Sequence, residues 1–335
     1  MASRRSKRSR NVRRAVALAA TAGGATVVVR QVAGQKWATD DDPCGPEGFT
    51  LPDGDHRTVP TDDDAELAVT LTGPADGPVV VLSHCWTGSR AFWSPVARML
   101  AADGHRVVLY DHRGHGASTA GDGRTDLERL AEDLRAVLEE LDLTDAVLAG
   151  HSMGGMTIQA LAKDHPDVVR ARVRGIALVA TAAKVVPRPM PAAAIEAVLG
   201  DRAIGGWFRG PAGVRMVRGA LGQVAHRAHV EATRDHFIDT VAAARTGFLV
   251  AMSQMDLRPG HVNIEVPTTI VVGTRDRLTP IALAKAMERS IPKAELIVIP
   301  KAGHMLPIEH PAEIAAAIES LTPIGDARTK AAATN

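Results

Sequence analysis

The stretch Ala149-Gly150-His151-Ser152-Met153-Gly154-Gly155 follows an apolar run, Ala146 to Ala149, and opens a helical pattern, Met156 to Lys163, that stops at His165-Pro166. The run has the composition of a strand buried on both faces. A strand, a sharp turn carrying one Ser between glycines, and a helix make a nucleophile elbow of the pattern Gly-x-Ser-x-Gly. The turn strains the Ser backbone, and neighbours without a side chain let strand and helix close up around it. The Ser then stands at a helix N-terminus. Free backbone N–H groups there face the place where negative charge develops in acyl transfer.

Outward from the elbow, strands and helices alternate. Upstream, Val79 to Leu82 and Arg106 to Tyr110 read as buried strands separated by a helical stretch, Phe92 to Ala102, while Glu66 to Thr72 alternates as an edge strand does. Thr125 to Leu141 places Leu127, Leu130, Leu134, Val137, Leu138 and Leu141 on one helical face. Downstream, strands are expected at Gly175 to Ala180, Thr268 to Val272 and Ala294 to Ile299, with helices at Ile281 to Ile291 and His310 to Leu321. This order predicts an α/β fold: a mostly parallel sheet flanked by helices, with chemistry at the C-terminal strand ends.

The alternation breaks from about Lys184 to Pro259. This stretch carries Pro187, Pro189 and Pro191, the pair Trp207-Phe208, and helical patterns at Val214 to Ala220 and His229 to Arg245, without a clear strand. It is too long for a bare loop. We expect a helical cap, residues 184–262, inserted between two parts of the core, 61–183 and 263–322, with 323–335 a tail. Met216, Phe237, Phe248, Met252 and Met255 recur at helical spacing and are expected in the core of the cap rather than in an acyl pocket.

At 335 residues and 45 % hydrophobic content the chain can bury a substantial core, and with 3 % aromatics that core must be built from Ala, Val, Leu and Ile. The net charge of +1 is uneven: Arg4, Arg5, Lys7, Arg8, Arg10, Arg13 and Arg14 come first, leaving about −6 for the rest. A mildly acidic body gives no basis for a nucleic-acid function. The basic cluster precedes an apolar run, Ala15 to Val29, as in export signals and signal anchors. As a helix that run is about 22 Å long, short of the roughly 30 Å hydrocarbon core. Residues 1–36 are therefore expected to anchor or export the body, giving a possible membrane association, with a cytoplasmic protein as the alternative. Residues 37–60, rich in Asp, Pro and Gly, read as a linker and solvated tether. Cys44 and Cys85 read as two independent thiols, and no metal site or cofactor is expected, since neither C-x-x-C nor clustered His accompanies them.

Three chemical groups stand just past three expected strands: Ser152, Asp276 and His304. A Ser hydroxyl needs a base within hydrogen-bond reach, and the base needs an anion to set its tautomer and stabilise its cation. His304 is the natural base and Asp276 the natural orienter, in the chain order Ser, Asp, His.

Over roughly Val79 to Leu321 the sequence resembles the α/β-hydrolase superfamily. The matching residues are His84 to Ser89, Asp111 to Ser118, Gly150 to Gly155, Gly273 to Asp276 and Gly303-His304. The resemblance implies the α/β-hydrolase fold, a nucleophile at Ser152, an acid at Asp276, a base at His304, and oxyanion donors from the backbone N–H of Met153 and Trp86. Within the superfamily, Gly-His-Ser-Met-Gly-Gly and Arg-Gly-His-Gly look most like serine esterases, monoacylglycerol-lipase-like enzymes and cofactor-free haloperoxidase-type perhydrolases. One position departs from the family pattern: Cys85 follows His84 where Gly is usual, with Gly88 three residues on as a source of flexibility. His84, Asp111, Arg113 and His115 are expected to brace loops, Arg113 being also within possible reach of a substrate, and Cys85 is expected to be inert. A Ser at the elbow predicts hydrolysis of small to medium carboxylic or acylglycerol esters through an acyl-enzyme. The same triad also serves perhydrolysis or thioester cleavage, and a non-catalytic ligand-binding module is the reading from another class.

Overall fold

A computed structural model describes residues 35–45, 47–184, 199–201, 204 and 208–322. Its strands are β1 (Lys36–Trp37), β2 (Asp55–Pro60), β3 (Glu66–Thr72), β4 (Val79–Ser83), β5 (Arg106–Tyr110), β6 (Ala146–His151), β7 (Val173–Val179), β8 (Val224–Ala225), β9 (Thr268–Gly273) and β10 (Ala294–Ile299). Eight of them form one sheet in the order β10-β9-β7-β6-β4-β5-β3-β2. The six from β10 to β5 are parallel, while β3 and β2 add antiparallel pairs at one side. The mostly parallel α/β-hydrolase sheet read from the sequence is the one observed.

The period of two along each strand splits the core in two. Val81, Val108, Leu148, Ile176 and Ile270 face one side, where α2 (Leu127–Glu140) and α3 (Met153–Asp164) cover them. Val80, Leu82, Val107, Val147 and Val271 face the other, under α1 (Ser94–Ala102) and α10 (Pro311–Glu319). Between these come α4 (Pro166–Arg172), α5 (Pro211–Arg218), α6 (Arg227–Asp239), α7 (Ala242–Gln254), α8 (Ile281–Ser290) and α9 (Leu306–Glu309).

Several expectations are corrected. β3 is not an edge strand: β2 pairs with it from Asp55↔Leu71 to Pro60↔Glu66, and six of the seven β3 residues are buried. The stretch 37–60 is accordingly not a free tether. Besides forming β2, it docks: Trp37 stacks under the Arg218 guanidinium at 4.0 Å, and Arg98 donates to the carbonyls of Gly48 at 2.7 Å and Thr50 at 2.8 Å. Polar composition marked this stretch as soluble, but its backbone groups found partners 50 residues away, which composition does not encode. The excursion between β7 and β9 does hold a strand, two-residue β8, paired in parallel with β1. The helix expected from His229 to Arg245 is two helices. Thr240 and Val241 are extended between them, and buried Arg245 takes the carbonyls of Phe237 at 3.1 Å and Thr240 at 2.6 Å. That guanidinium satisfies helix-end carbonyls that would otherwise be orphaned. The excursion is pinched at its base, where Leu257 N–H donates to Ala183 O at 2.8 Å and Lys184 pairs with Asp256 at 2.9 Å. Residues 258–262, expected in the cap, pack instead on α3 together with Asn263. His261 meets Gln159 at 2.9 Å, and Asn263 donates to Ala162 O at 2.8 Å.

Of the aromatic and Met residues expected to build the cap core, Phe237 clusters with Phe208, and the two rings stack at 4.4 Å. Phe248, Met252 and Met255 join the main core over α2 and α3. The segment Ala15 to Val29, residues 185–198, Trp207 and the tail from 323 lie outside the described residues. Among the described residues no helix is long and apolar enough to cross a membrane.

Candidate active site

β6 ends at His151, and Ser152 follows with φ 53° and ψ −112°, a conformation that strains any residue with a Cβ. It is held from several sides. Ser152 N–H donates to Val179 O at 2.9 Å, and Ser152 O accepts from Thr181 Oγ1 at 2.6 Å and from Met156 N–H at 3.1 Å. The flanking glycines act by close approach rather than by rotation. A Cβ on Gly154 would stand 2.1 Å from Ser83 O, and one on Gly150 would stand 2.5 Å from the Gly154 backbone.

β9 and β10 bring the other two groups. His304 Nε2 lies 3.0 Å from Ser152 Oγ, and His304 Nδ1 lies 2.9 Å from Asp276 Oδ2. All three residues are under 10 % exposed: Ser152 8 %, Asp276 4 %, His304 5 %. The three predicted residues, 124 and 28 positions apart in the chain, thus form one continuous hydrogen-bonded line. Asp276 is saturated. Its Oδ1 accepts Leu278 N–H at 2.9 Å and Thr279 N–H at 2.8 Å, and its Oδ2 also accepts Thr279 Oγ1 at 2.6 Å. Burial pushes its carboxyl up, but the His304 charge, the His304 hydrogen bond and the Thr279 donors outweigh burial and hold it below the usual carboxylate range. The anion is therefore fixed where it can orient His304 Nδ1–H.

Sequence reasoning missed the residues that hold this line in place. Thr279 and Thr181 are two. His151 is a third: its Nε2–H donates to the backbone carbonyl of His304 at 2.8 Å, and burial lowers its pKa to about 3, so it works as a neutral donor. Glu309 is a fourth. Its carboxylate gathers the N–H groups of Gly222 at 2.6 Å, Gly303 at 3.1 Å and Met305 at 2.9 Å, and so ties the His304 loop to the excursion. The faint signal in the sequence was an acid five residues beyond a catalytic-type His.

Met153 is the first residue of α3, and Trp86 follows β4 by three positions. No described residue accepts from either backbone N–H, so both donors are free at the C-terminal edge of the sheet. The Trp86 ring leaves the site: its Nε1–H donates to Arg245 O at 3.0 Å, and it makes a T-shaped contact with Phe237 at 5.4 Å between centroids. Cys85 does not strain the oxyanion loop. The left-handed residue there is Thr87, at φ 56°, and Cys85 is outside that region. Gly88 contributes room rather than rotation, since a Cβ on it would stand 2.8 Å from Cys85 Sγ. Cys85 and Cys44 are both unpaired, and burial pushes the Cys85 thiol up to about 12, as an inert thiol requires.

The bracing residues behave as such. His84 Nδ1–H donates to Cys85 O at 2.7 Å, while its Nε2 accepts His112 N–H at 2.9 Å. Burial lowers His84 and His115 to about 3, so this histidine cluster is neutral. Asp111 accepts Arg90 N–H at 2.7 Å and Ala117 N–H at 2.9 Å, and pairs with the Arg90 guanidinium. Arg113 is spent: it reaches Asp133 at 2.7 and 2.8 Å and Asp63 at 2.7 and 3.0 Å, leaving nothing for a substrate.

A parallel sheet with a strained Ser at the elbow and a Ser–His–Asp line across three strand ends defines the class. The model of the Alpha/beta hydrolase family matches residues 80–317, and the chain belongs to that family of hydrolytic enzymes. The chain is 29 % identical over 252 residues to 3-oxoadipate enol-lactonase 1 of Acinetobacter baylyi, covering 73 % of this chain and 88 % of that one. It is 28 % identical over 234 residues to a non-heme chloroperoxidase of Burkholderia pyrrocinia, covering 67 % and 84 %. The solved structure of a hydrolase from Pseudomonas aeruginosa superposes with a TM-score of 0.66 at 29 % identity, over 81 % of this chain and all of that one.

Proposed function

We propose that the protein cleaves carboxylic esters through an acyl-enzyme on Ser152. The observation that carries this reading is the unbroken line Ser152 Oγ, His304 Nε2, His304 Nδ1, Asp276 Oδ2, with steps of 3.0 and 2.9 Å. Ser152 Oγ attacks the ester carbonyl while His304 Nε2 takes its proton. The ionised Asp276 stabilises the imidazolium. The oxyanion forms against the N–H groups of Met153 and Trp86, each worth roughly 3–4 kcal/mol of barrier lowering. His304 then returns the proton to the leaving alcohol, and water, activated by the same base, releases the acid. Small to medium acyl or monoacylglycerol-like esters are the proposed substrates.

The test is hydrolysis of p-nitrophenyl esters from acetyl to palmitoyl by the full chain beside Ser152→Ala. The expected result is activity peaking at one chain length and absent in Ser152→Ala. Activity that survives in Ser152→Ala overturns the reading. Similarity to a chloroperoxidase supports a second acceptor for the same acyl-enzyme, hydrogen peroxide in place of water, giving a peracid. Peracid formation from acetate and peroxide, lost in Ser152→Ala, tests it. Residues 1–36 are proposed to anchor or export the body, on the strength of seven basic residues before Ala15 to Val29. Equal recovery in the soluble fraction with and without residues 1–36 overturns the anchor.

A further inference from the structure

Away from Ser152, three metal-ligating side chains from distant parts of the chain converge. Asp42 and Cys44 come from the docked N-terminal stretch, and His229 from the first turn of α6. The Asp42 carboxylate, the Cys44 thiol and the His229 imidazole place one ligand atom each within 4.8 Å of the other two. Cys44 Sγ lies 3.3 Å from His229 Nε2, and Asp42 Oδ1 lies 2.8 Å from the same nitrogen. Cys44 and His229 are buried, at 5 % and 1 % exposure.

The geometry separates two roles for these groups. A nucleophilic Cys–His–Asp relay needs the thiol on one ring nitrogen and the carboxylate on the other, so that the acid sets the tautomer for the base. Here thiol and carboxylate converge on the same nitrogen, Nε2. That rules out the relay and leaves three donor atoms grouped closely enough to share one ion. A tetrahedral ion with bonds of about 2.0–2.3 Å holds its ligand atoms about 3.3–3.7 Å apart, so separations of 2.8 and 3.3 Å need to open by less than an ångström to admit one. The donor set selects the ion: thiolate and imidazole suit zinc and its transition-metal neighbours, and they exclude calcium and magnesium, which take oxygen ligands.

The surroundings suit that role. A cavity of about 320 Å³, lined by His229, Asp40, Asp41, His226 and Glu309 among others, reaches the site from the His229 side. It gives an ion a path to the His229 ring. No spacing rule flags this set, because 185 residues separate Cys44 from His229.

We propose that Asp42, Cys44 and His229 bind one divalent ion of the zinc class, which clips the N-terminal stretch to α6. Binding releases the Cys44 proton: S–H breaks, the sulfur lone pair bonds to the ion, and one proton per ion goes to the buffer. Binding also breaks the hydrogen bond that the Cys44 thiol donates to Ile308 O at 3.4 Å, four residues past His304, so the clip bears on the His304 side of the molecule.

The test uses the metal-free full chain, titrated with Zn2+ and Co2+ beside Mg2+, in wild type, Cys44→Ser and Asp42→Asn. Expected are one Zn2+ per chain with release of one proton, and a cobalt–thiolate charge-transfer band. A rise in Tm on adding Zn2+ but not Mg2+ is also expected. Cys44→Ser keeps the fold and the side-chain volume. It should lose the band and weaken Zn2+ binding by more than about 100-fold, beyond what loss of an outer-sphere partner costs. Asp42→Asn should keep the band and bind more weakly. Absence of the band in wild type, or Zn2+ binding of equal strength in Cys44→Ser, overturns the proposal. Ser152-dependent ester hydrolysis is read in the same samples, so failure of one proposal is seen apart from failure of the other.

Discussion

Asp276→Asn isolates what a single negative charge does in the Ser152 line. The wild-type carboxylate accepts four hydrogen bonds. Two come from backbone N–H groups, Leu278 and Thr279, which cannot turn away. The other two come from Thr279 Oγ1 and His304 Nδ1. An amide has one oxygen. If its NH2 group faced the two backbone donors, both would lose their acceptor in a buried site, at about 1–3 kcal/mol each. The oxygen therefore stays on Leu278 and Thr279, and the NH2 group turns to Thr279 Oγ1 and His304. The Thr hydroxyl can rotate and accept. His304 Nδ1 can accept only in the tautomer whose proton sits on Nε2, and that tautomer points a hydrogen at Ser152 Oγ and takes no proton from it. The expected loss is about 10⁴-fold in kcat, or about 5.5 kcal/mol of barrier, with KM nearly unchanged. Since the backbone bonds survive, stability should change by no more than about 1 kcal/mol. Steady-state kinetics on the best p-nitrophenyl ester and a urea titration read both quantities. A kcat within tenfold of wild type, with Ser152→Ala inactive, would refute the tautomer argument and point to another acid.

Cys85→Gly should leave kcat within about twofold, because Cys85 does not occupy left-handed backbone, and should cost about 1 kcal/mol of stability for the lost buried side chain and added chain entropy. A large gain in ester hydrolysis would show that the thiol distorts the oxyanion loop. Arg113→Met removes the guanidinium between two carboxylates and leaves buried Asp133, among the described residues, with Arg129 at 3.4 Å as its remaining cation, so urea unfolding at pH 7 should show a loss of about 3 kcal/mol while KM holds. An increase in KM without loss of stability would give Arg113 the substrate contact denied to it above. Glu309 predicts a pH dependence of stability. Burial pushes its carboxyl up to about 7 from an ordinary 4.5, against the three N–H groups that lower it. Its contribution is therefore full below about pH 4.5 and is lost as pH rises through 7. Melting curves from pH 4 to 8 should show a downward slope that flattens in Glu309→Gln, and identical slopes would remove Glu309 as its source.

The linear sequence determined the parts of this protein whose information is local. Parallel strands announce themselves as short apolar runs, so Arg106 to Tyr110, inside the sheet, and Ala294 to Ile299, at its edge, were legible to the residue. The elbow was legible because Gly150 and Gly154 sit against backbone that tolerates no Cβ. Ser152, Asp276 and His304 were legible because a parallel sheet places every strand end on one side, which turns sequence order into proximity. Tertiary structure alone decided whatever depends on partners far along the chain. The stretch 37–60 looked like a tether because its polar groups have no local partner, yet β2 pairs with β3 and Arg98 holds its carbonyls. Arg245, Glu309 and His151 are ordinary residues until the fold aims them at backbone groups of other segments. The meeting of Asp42 and Cys44 with His229 is of the same kind: ligand chemistry needs atoms within a few ångströms, and only the packed chain sets those distances.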